Sequence, residues 1–170
     1  MRKSLRAAGF WLGNLLLPLA LGAALYLLRE AGHTPLIIGN GTNLLVTDAP
    51  LERIVIKTDK LSSVSRLDDT RLRAAAGVSL TRLANAASGY DLPGLEFAHG
   101  IPGTLGGAVC MNAGAYGGEM KDVITSVTLL DPSRGIVTLS AAEMQFSYRR
   151  SILSGHPEYV VLSASFRLQK

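Results

Sequence analysis

Two glycine-rich segments contain the residues whose types and spacing favour binding of an anionic ligand. The longer one, HGIPGTLGGAVCMNAGAYGGEM over residues 99–120, holds seven of the chain's eighteen glycines. It has no Asp, Glu, Lys or Arg from His99 through Gly118. An anion bound there would therefore be held by backbone N–H groups and by hydroxyls such as that of Thr104, and glycine lets the backbone approach it closely. Close packing of two backbones is the alternative role for such a loop.

The shorter segment, LIIGNGTNLLV over residues 36–46, places Gly39, Asn40 and Gly41 directly after a predicted strand. This resembles the start of a dinucleotide fingerprint, but Leu44 stands where the third glycine belongs, and NLLV continues as a β-like stretch instead of opening a helix. We therefore predict a tight strand-to-strand turn in which Gly39 and Gly41 permit positive φ and close backbone approach, with polar side chains as donors. An ordinary hairpin turn is the alternative. Two such loops in one short chain favour a large phosphate-bearing cofactor.

Strand signals dominate the chain beyond Gly32, and these strands must position both loops. Short runs, several alternating with period two, predict strands at PLIIG, ERIVIK, TRLRAAA, VITSVTLL, GIVTLS and EYVVLSASFRL. SLTRLANAASG predicts a helix that Ser79 caps and Gly89 ends. One face of that helix carries Leu80, Leu83, Ala84 and Ala87. TLGGAVCMNA can supply a second, shorter helix, so the fold class is α+β.

The first thirty residues permit two interpretations. Basic residues among the first six positions precede FWLGNLLLPLALGAALYLL, an uncharged run over residues 10–28 whose length and order match a signal sequence or a membrane anchor. The same stretch also fits a folded element, with a strand at 15–17, a break at Pro18 and a helix over 19–31 that Gly32 ends. We favour the folded interpretation, in which the first forty residues belong to the domain.

Composition excludes several other classes of function. A hydrophobic fraction of 48% and a charged fraction of 18% are typical of a globular chain. The formal charge of +4 comes from scattered Lys and Arg residues, which argues against a nucleic-acid partner. The lone Cys110 cannot form an intramolecular disulfide. His33, His99 and His156 lie far apart in the sequence, so no metal site is expected.

Three motifs, in order along the chain, resemble those of the UDP-N-acetylenolpyruvoylglucosamine reductases, the MurB flavoenzymes of peptidoglycan synthesis. They are GNGTNLLV from Gly39, GLEFAHGIPGTLGGAVCMNAGAYGGEM from Gly94 and FSYRRS from Phe146. The resemblance runs from about Pro35 to the C-terminus, and more loosely back to Arg6. The middle motif is long and specific.

The resemblance implies a two-lobed α+β FAD-binding fold of the vanillyl-alcohol-oxidase (PCMH) type, without the C-terminal substrate-binding domain of that family. Residues 1–60 would form the first lobe and residues 61–170 the second. It further implies noncovalent FAD, NADPH as co-substrate, a UDP-sugar substrate and a cytoplasmic location. The cofactor-binding residues implied are Gly39, Asn40, Gly41, Thr42, Asn43, Gly100, Ile101, Pro102, Gly103, Thr104, Gly106, Gly107, Asn112, Gly114, Ala115 and Tyr116.

In that family the flavin passes hydride to the enolpyruvyl double bond of the substrate, and the Tyr-Arg motif falls on Tyr148 and Arg149. Arg149 would be catalytic because a guanidinium beside the substrate carboxylate stabilises the enolate that develops there, and both residues would contact the substrate. Without the resemblance, YRRS indicates only an exposed basic turn.

Several positions depart from the family pattern. Arg150 stands where a smaller or acidic residue is expected, and the helix before Arg29 lacks the usual acidic outer face. The family's proton-donating serine and its assisting glutamate come from the third domain, and Ser151 lies inside the Tyr-Arg motif, so we do not assign it as the donor.

Three hypotheses follow for the activity. The chain is the FAD-binding part of a reductase and is inactive alone, or it is a flavin- or nucleotide-binding module without turnover. As a third, it is another oxidase of this fold, for which His99 is the candidate for covalent attachment of the flavin.

Overall fold

The elements that position the two loops come from a computed structural model, which describes the backbone of residues 2–170 and the side chains of residues 16–170. The helices are α1 (Arg2–Glu30), α2 (Leu80–Ser88), α3 (Leu105–Cys110) and α4 (Met120–Val123). The strands are β1 (Leu36–Ile38), β2 (Val55–Lys57), β3 (Val64–Arg66), β4 (Arg71–Ala75), β5 (Gly114–Ala115), β6 (Gly118–Glu119), β7 (Ile124–Asp131), β8 (Gly135–Ser140) and β9 (Val160–Arg167). Short 3-10 turns cover Glu96–Ala98 and Ile152–Ser154.

A five-stranded antiparallel sheet in the order β3-β4-β9-β7-β8 forms the larger layer. Its long strands alternate buried and less buried residues, as the period-two pattern of the sequence requires. Leu72, Val127, Leu129 and Phe166 are completely buried in the core. The strands predicted at TRLRAAA, VITSVTLL, GIVTLS and EYVVLSASFRL are confirmed; β3 was not anticipated.

Helix α2 follows its sequence signals closely. The Ser79 hydroxyl accepts a hydrogen bond from the Arg82 N–H, and Gly89 is the C-cap residue. The face predicted to be buried is buried, and it consists of Leu80, Leu83, Ala84 and Ala87. The shorter predicted helix is α3, which contacts β4 and β9. The second glycine-rich segment is thereby anchored on the larger sheet.

The first glycine-rich segment leaves a separate, smaller sheet. Strands β1 and β2 pair in parallel, and the Thr58 N–H donates to the Ile38 carbonyl at 3.0 Å just beyond the pair. These strands match the predicted PLIIG and ERIVIK. The prediction of a tight turn into a strand at NLLV is wrong, because the chain runs on without a strand until Val55. Leu45 and Val46 are exposed there and pair with no strand of the described chain, so their β-propensity goes unused.

Helix α1 corrects part of the N-terminal prediction. The expected strand at 15–17 and the break at Pro18 are wrong, because one helix continues through Pro18 from Arg2 to Glu30. The missing N–H of a proline removes one helical hydrogen bond but does not force the chain out of the helix. The predicted end at Gly32 is confirmed. Gly32 has a φ of +78°, and the Gly32 and His33 N–H groups donate to the Arg29 and Leu28 carbonyls. Within the part of the chain that the structure describes, no helix combines the length and the apolarity that a membrane span requires.

The hairpin between β7 and β8 is held by one carboxylate. Asp131 is buried and accepts hydrogen bonds from the Ser133 hydroxyl, from the Ser133 and Arg134 N–H groups, and from Arg134 Nε at 2.6 Å. The hydrogen bonds from Ser133, followed by those from Arg134, hold the pKa of Asp131 below its usual range. The charged carboxylate is therefore the form that stabilises the hairpin.

Replacing Asp131 with asparagine should lower the urea midpoint of unfolding at pH 7. Because the folded pKa is depressed, the contribution of the carboxylate is complete above its unfolded pKa of about 3.9 and is lost as pH falls further. The difference between wild type and variant should therefore shrink below about pH 4. Asp69→Asn is the control, since Asp69 is exposed and pairs with Arg66 at the surface. A difference for Asp131→Asn that stays constant from pH 7 to pH 3 would contradict the assignment.

Candidate cofactor site

The two glycine-rich segments meet in the folded chain. The Thr42 hydroxyl donates to the Pro102 carbonyl at 3.2 Å, and the Asn43 amide contacts the Met111 sulfur at 3.6 Å. A methyl group on Gly39 would overlap the Thr104 hydroxyl. Gly39 therefore allows the first loop to lie directly against Thr104, which is itself buried.

The first loop presents unused backbone donors. Within the described part of the chain, the N–H groups from Gly39 through Asn43 donate no hydrogen bond. Gly41 adopts a φ of +72°, and the loop ranges from partly buried to exposed. Partly buried N–H groups that donate to no protein group need another acceptor. Several such groups in a row form a site that an anion can occupy.

The second loop contributes fewer donors than the sequence suggested. The first N–H groups of α3, those of Leu105 and Gly106, donate to the Val78 and Ala76 carbonyls at 2.8 Å. They cannot also hold an anion, so these two N–H groups are not among the backbone donors available to one. A Cβ on Gly106 would lie 3.1 Å from the Ala76 Cβ, which means that this glycine serves close packing. By contrast, the N–H groups of Gly103, Thr104 and Gly107 donate to no group of the described chain.

Gly103 has the most demanding backbone in the second loop. Its φ of +129° is a conformation that residues with a Cβ rarely adopt. A Cβ at this position would also approach the Thr42 hydroxyl to 3.0 Å. The geometry of the junction between the two loops therefore requires glycine here. Gly100, Ile101 and Pro102 lead into this junction.

A cavity of about 860 Å³ opens beside the meeting point of the loops. It lies between α1, the β1–β2 sheet and α3, and Gly39, Gly106 and Gly107 are part of its wall. Its volume is within the range of about 300–1,000 Å³ that is usual for small-molecule and cofactor sites. Arg29 and Arg53 also line it. Asp131 and Glu158 line the same cavity, so its wall carries charges of both signs.

The segment after α3, residues 112–116, forms a more exposed part of the candidate site, which we call the rim. Asn112 and Tyr116 both adopt positive φ values, of 45° and 52°. Tyr116 is 96% exposed, so its ring is free to cover a ligand. Gly114 has no space for a Cβ because the Gly118 carbonyl and the Glu119 side chain lie against it. Ala115 continues this segment into the short β5–β6 hairpin.

The Tyr148–Arg149 pair stands at the tip of a tight turn. The N–H and C=O groups of Ser147 and Arg150 exchange hydrogen bonds of 3.0 and 3.2 Å, which leaves Tyr148 and Arg149 as the two central residues. Arg149 has a φ of +54°, and its Nη2 donates to the Gly114 carbonyl at 3.1 Å. A left-handed residue with a long side chain is strained unless its surroundings hold it. The turn therefore presents Arg149 to the rim formed by the segment after α3.

Two other residues named from the sequence lie in different surroundings. Ser151 is buried; its hydroxyl donates to the Cys110 carbonyl at 2.8 Å and accepts from the Leu153 N–H. This structural role agrees with leaving Ser151 out of the proton transfer. His99 lines a separate small groove beside α2, and its carbonyl accepts from the Thr81 hydroxyl.

Sequence reasoning named Asn112 only as a cofactor-binding residue and missed the polar side chains of Glu119 and Lys121, which join the rim to the turn together with it. The Asn112 amide nitrogen donates to Glu119 Oε2 at 2.5 Å and to the Ser147 carbonyl at 3.0 Å, and Lys121 pairs with Glu119 at 3.0 Å. The hydrogen bond from Lys121 is the main cause that lowers the pKa of Glu119. The capping pattern at Glu119 and Asp122 was readable in the sequence, but the link to Ser147 was not.

Comparisons with known proteins agree with this geometry. The family model described as FAD binding domain matches residues 19–140. The UDP-N-acetylenolpyruvoylglucosamine reductase of Caldanaerobacter subterraneus subsp. tengcongensis is 51% identical over 143 residues, which are 84% of this chain and 47% of that protein. The protein of the same name from Clostridioides difficile is 47% identical over 146 residues, 86% of this chain and 48% of that protein. The chain thus spans about half the length of the curated relatives it matches.

A solved structure supports the same assignment. The crystal structure of UDP-N-acetylenolpyruvylglucosamine reductase (MurB) from Thermus caldophilus matches with a TM-score of 0.70 and 32% sequence identity, over 85% of this chain and 52% of that chain. The α+β fold expected from the motifs is therefore confirmed. The chain belongs to the FAD-binding domain family, and it corresponds to the FAD-binding portion of the UDP-N-acetylenolpyruvoylglucosamine reductases.

Proposed function

We propose that the chain binds FAD noncovalently and that the two glycine-rich loops hold the pyrophosphate. The observation that carries this proposal is the row of free N–H groups from Gly39 through Asn43 beside those of Gly103, Thr104 and Gly107. Backbone donors suit a diphosphate because they bind it without a bulky side chain between them. Gly39 and Gly103, where a Cβ would intrude, keep that space open. The residues present thus fit the group.

The aromatic and cationic residues of the rim suit the flavin end. Tyr116 and Tyr148 are 96% and 80% exposed. The Arg149 guanidinium lies over the Tyr148 ring, 5.5 Å from its centroid, and donates to the carbonyl of Gly114, two residues before Tyr116. We propose that residues 1–60 and 61–170 act as the two lobes around the cofactor. The separate β1–β2 sheet and five-stranded sheet support this division.

We propose that the activity is reduction of UDP-N-acetylglucosamine enolpyruvate to UDP-N-acetylmuramate, with NADPH as the reductant. When bound, FAD would supply hydride transfer from NADPH to the carbon–carbon double bond of the substrate. The Arg149 guanidinium would bind the substrate carboxylate and stabilise the negative charge that develops on it as hydride adds. Tyr148 would contact the substrate beside it. This is a step in making a peptidoglycan precursor, for which we propose a cytoplasmic location.

A proton must reach the carbon next to the carboxylate to complete the reduction. Ser151 is not suited to this step because its hydroxyl already donates to the Cys110 carbonyl. We therefore propose that the donor comes from a segment equivalent to the part of the relatives that this chain does not match. The same observation leaves a flavin- or nucleotide-binding module without turnover as the second candidate function.

Titration of the purified chain with FAD tests the first proposal. Flavin fluorescence should change in a saturable way, and acid precipitation should release the flavin into the supernatant, because no covalent bond is formed. A cooperative urea transition would show that the protein is folded. If flavin fluorescence is unchanged with such folded protein, FAD binding is refuted. Flavin that stays in the acid pellet would instead favour covalent attachment, with His99 as the first residue to replace.

Turnover separates the reductase from the binding module. We expect the 170-residue chain loaded with FAD to oxidise NADPH far more slowly, in the presence of UDP-N-acetylglucosamine enolpyruvate, than the same chain fused to the unmatched part of the Caldanaerobacter relative. Loss of a general acid alone costs about 10²–10⁴-fold in rate, and lost substrate orientation adds to this. Equal rates for the two proteins would place the donor within these residues. An inactive fusion that still binds FAD would favour the binding module.

A further inference from the structure

Asn112 connects the junction of β6 and α4 to the turn at Ser147. Its side chain is almost completely buried, with 1% exposed, and its φ is +45°. The amide nitrogen donates to Glu119 Oε2 and to the Ser147 carbonyl, while the amide oxygen accepts from the Lys121 N–H at 3.0 Å. Asparagine is the shortest side chain with both two donors and an acceptor on one planar group. All of these polar atoms are used inside the protein, so Asn112 is placed to orient its neighbours.

The turn that carries Arg149 is fastened at both sides to one short stretch. The Ser147 carbonyl receives the Asn112 amide at 3.0 Å, and the Arg149 guanidinium reaches the Gly114 carbonyl at 3.1 Å. Asn112 and Gly114 are two positions apart, so a shift of this stretch moves both attachments. The positive φ of Arg149 needs such support, because a residue with a long side chain rarely keeps it unaided.

We infer that Asn112 is a positioning residue, which couples the 112–116 segment to the turn bearing Tyr148 and Arg149. The inference rests on the proposed function in one respect: the 112–116 segment is where we place the flavin end of FAD. Binding of the cofactor would then order the turn, and Arg149 would take its place at the substrate carboxylate only after the flavin site is formed. Glu119 and Lys121 hold the Asn112 amide from the other side.

Amide hydrogen exchange on the full chain tests the coupling directly. In Asn112→Asp, the acceptor for Lys121 remains, but the donor to Ser147 is lost and a second carboxylate faces Glu119. The N–H groups of Ser147 and Arg150 should exchange about tenfold faster or more, the effect of losing one hydrogen bond. Exchange in β7 and β9 should rise by a smaller factor, because a general loss of stability alone would raise exchange at all these groups alike. Unchanged exchange at Ser147 and Arg150 would overturn the inference.

The double variant Asn112→Asp with Glu119→Gln separates the bond to Ser147 from the bond to Glu119. A glutamine at 119 can donate to the new carboxylate, which restores the side-chain pair with its polarity reversed, while the Ser147 carbonyl still lacks its donor. Fast exchange at Ser147 and Arg150 in this variant supports positioning through Ser147. Exchange equal to that of wild type refutes it.

Exchange in the presence of FAD and exchange in a second variant provide two further tests. FAD should slow exchange at Ser147 and Arg150 in wild type and should fail to do so in Asn112→Asp. If wild type does not bind FAD, the proposed function fails, whereas the comparison of variants without FAD still decides the role of Asn112. If Asn112→Asp does not fold, Glu119→Ala at a more exposed position should produce a smaller rise in exchange at the same two groups, and no rise would count against the coupling.

Discussion

We expect Gly103→Val to weaken FAD binding by roughly 5- to 150-fold. Gly103 holds a φ of +129°, and a residue with a Cβ in such a region costs about 1–3 kcal/mol, which is this range in affinity. With valine, the loop would move away from the geometry that binding requires. The valine side chain would also crowd the Thr42 hydroxyl, which lies 3.0 Å from the Cβ position. Fluorescence titration of the folded variant measures the change.

Gly94→Val is the matched control for this experiment. Gly94 has nearly the same φ, +125°, but lies in neither glycine-rich loop. The substitution should lower the free energy of unfolding through the same strain and leave the affinity of the folded protein for FAD close to that of wild type. Equal losses of affinity in both variants would mean that the strain acts through global stability. The assignment of the Gly103 loop to binding of the FAD pyrophosphate would then be wrong.

Arg149→Ala is expected to lower turnover by about 10²–10³-fold in the chain fused to the unmatched part of the Caldanaerobacter relative. This is the usual cost of removing one donor that stabilises charge in the transition state. FAD should stay bound, because the guanidinium contacts the Gly114 carbonyl and none of the backbone donors at 39–43 and 103–107 that are assigned to the pyrophosphate. The measurements are NADPH oxidation that depends on the enolpyruvyl substrate, and the flavin content of the purified protein.

Arg150→Ala controls for charge at this turn. Arg150 is the neighbouring exposed arginine, and its backbone closes the same turn. Its replacement should change the rate little, since we assign it no contact with the substrate. A similar loss of rate in both variants would indicate a general effect of positive charge. Loss of flavin from Arg149→Ala would make Arg149 a cofactor-binding or structural residue.

Local signals made much of the fold predictable. Helix α2 could be bounded from Ser79 and Gly89 because a cap and a stop act on neighbouring backbone groups. The long strands of the larger sheet were readable because alternation with period two has one structural solution when one face is buried. The strand prediction at NLLV is wrong because a high β-propensity produces a strand only where the edge of another strand is available for pairing.

The N-terminal helix shows the same limit of local signals. Pro18 disfavours a helix only by the loss of one hydrogen bond and by local crowding, so it cannot fix a boundary by itself. The glycine at the end of α1 could fix one, because a left-handed residue ends the helical path wherever it occurs. Signals that act through the backbone of their own position were therefore reliable, and signals that depend on distant partners were not.

The sequence by itself determined which residues are able to form the site, and the tertiary structure decided which of them do so together. Glycine content and the absence of charge identified both loops, because these properties belong to the residues themselves. Only the fold joins Thr42 to Pro102, sixty positions apart, turns two donors of α3 toward Ala76 and Val78, and uses the whole Asn112 amide inside the protein. Hydrogen bonds are satisfied by whatever lies nearest in space, and that neighbour is set by the packing of the sheets rather than by the order of the chain.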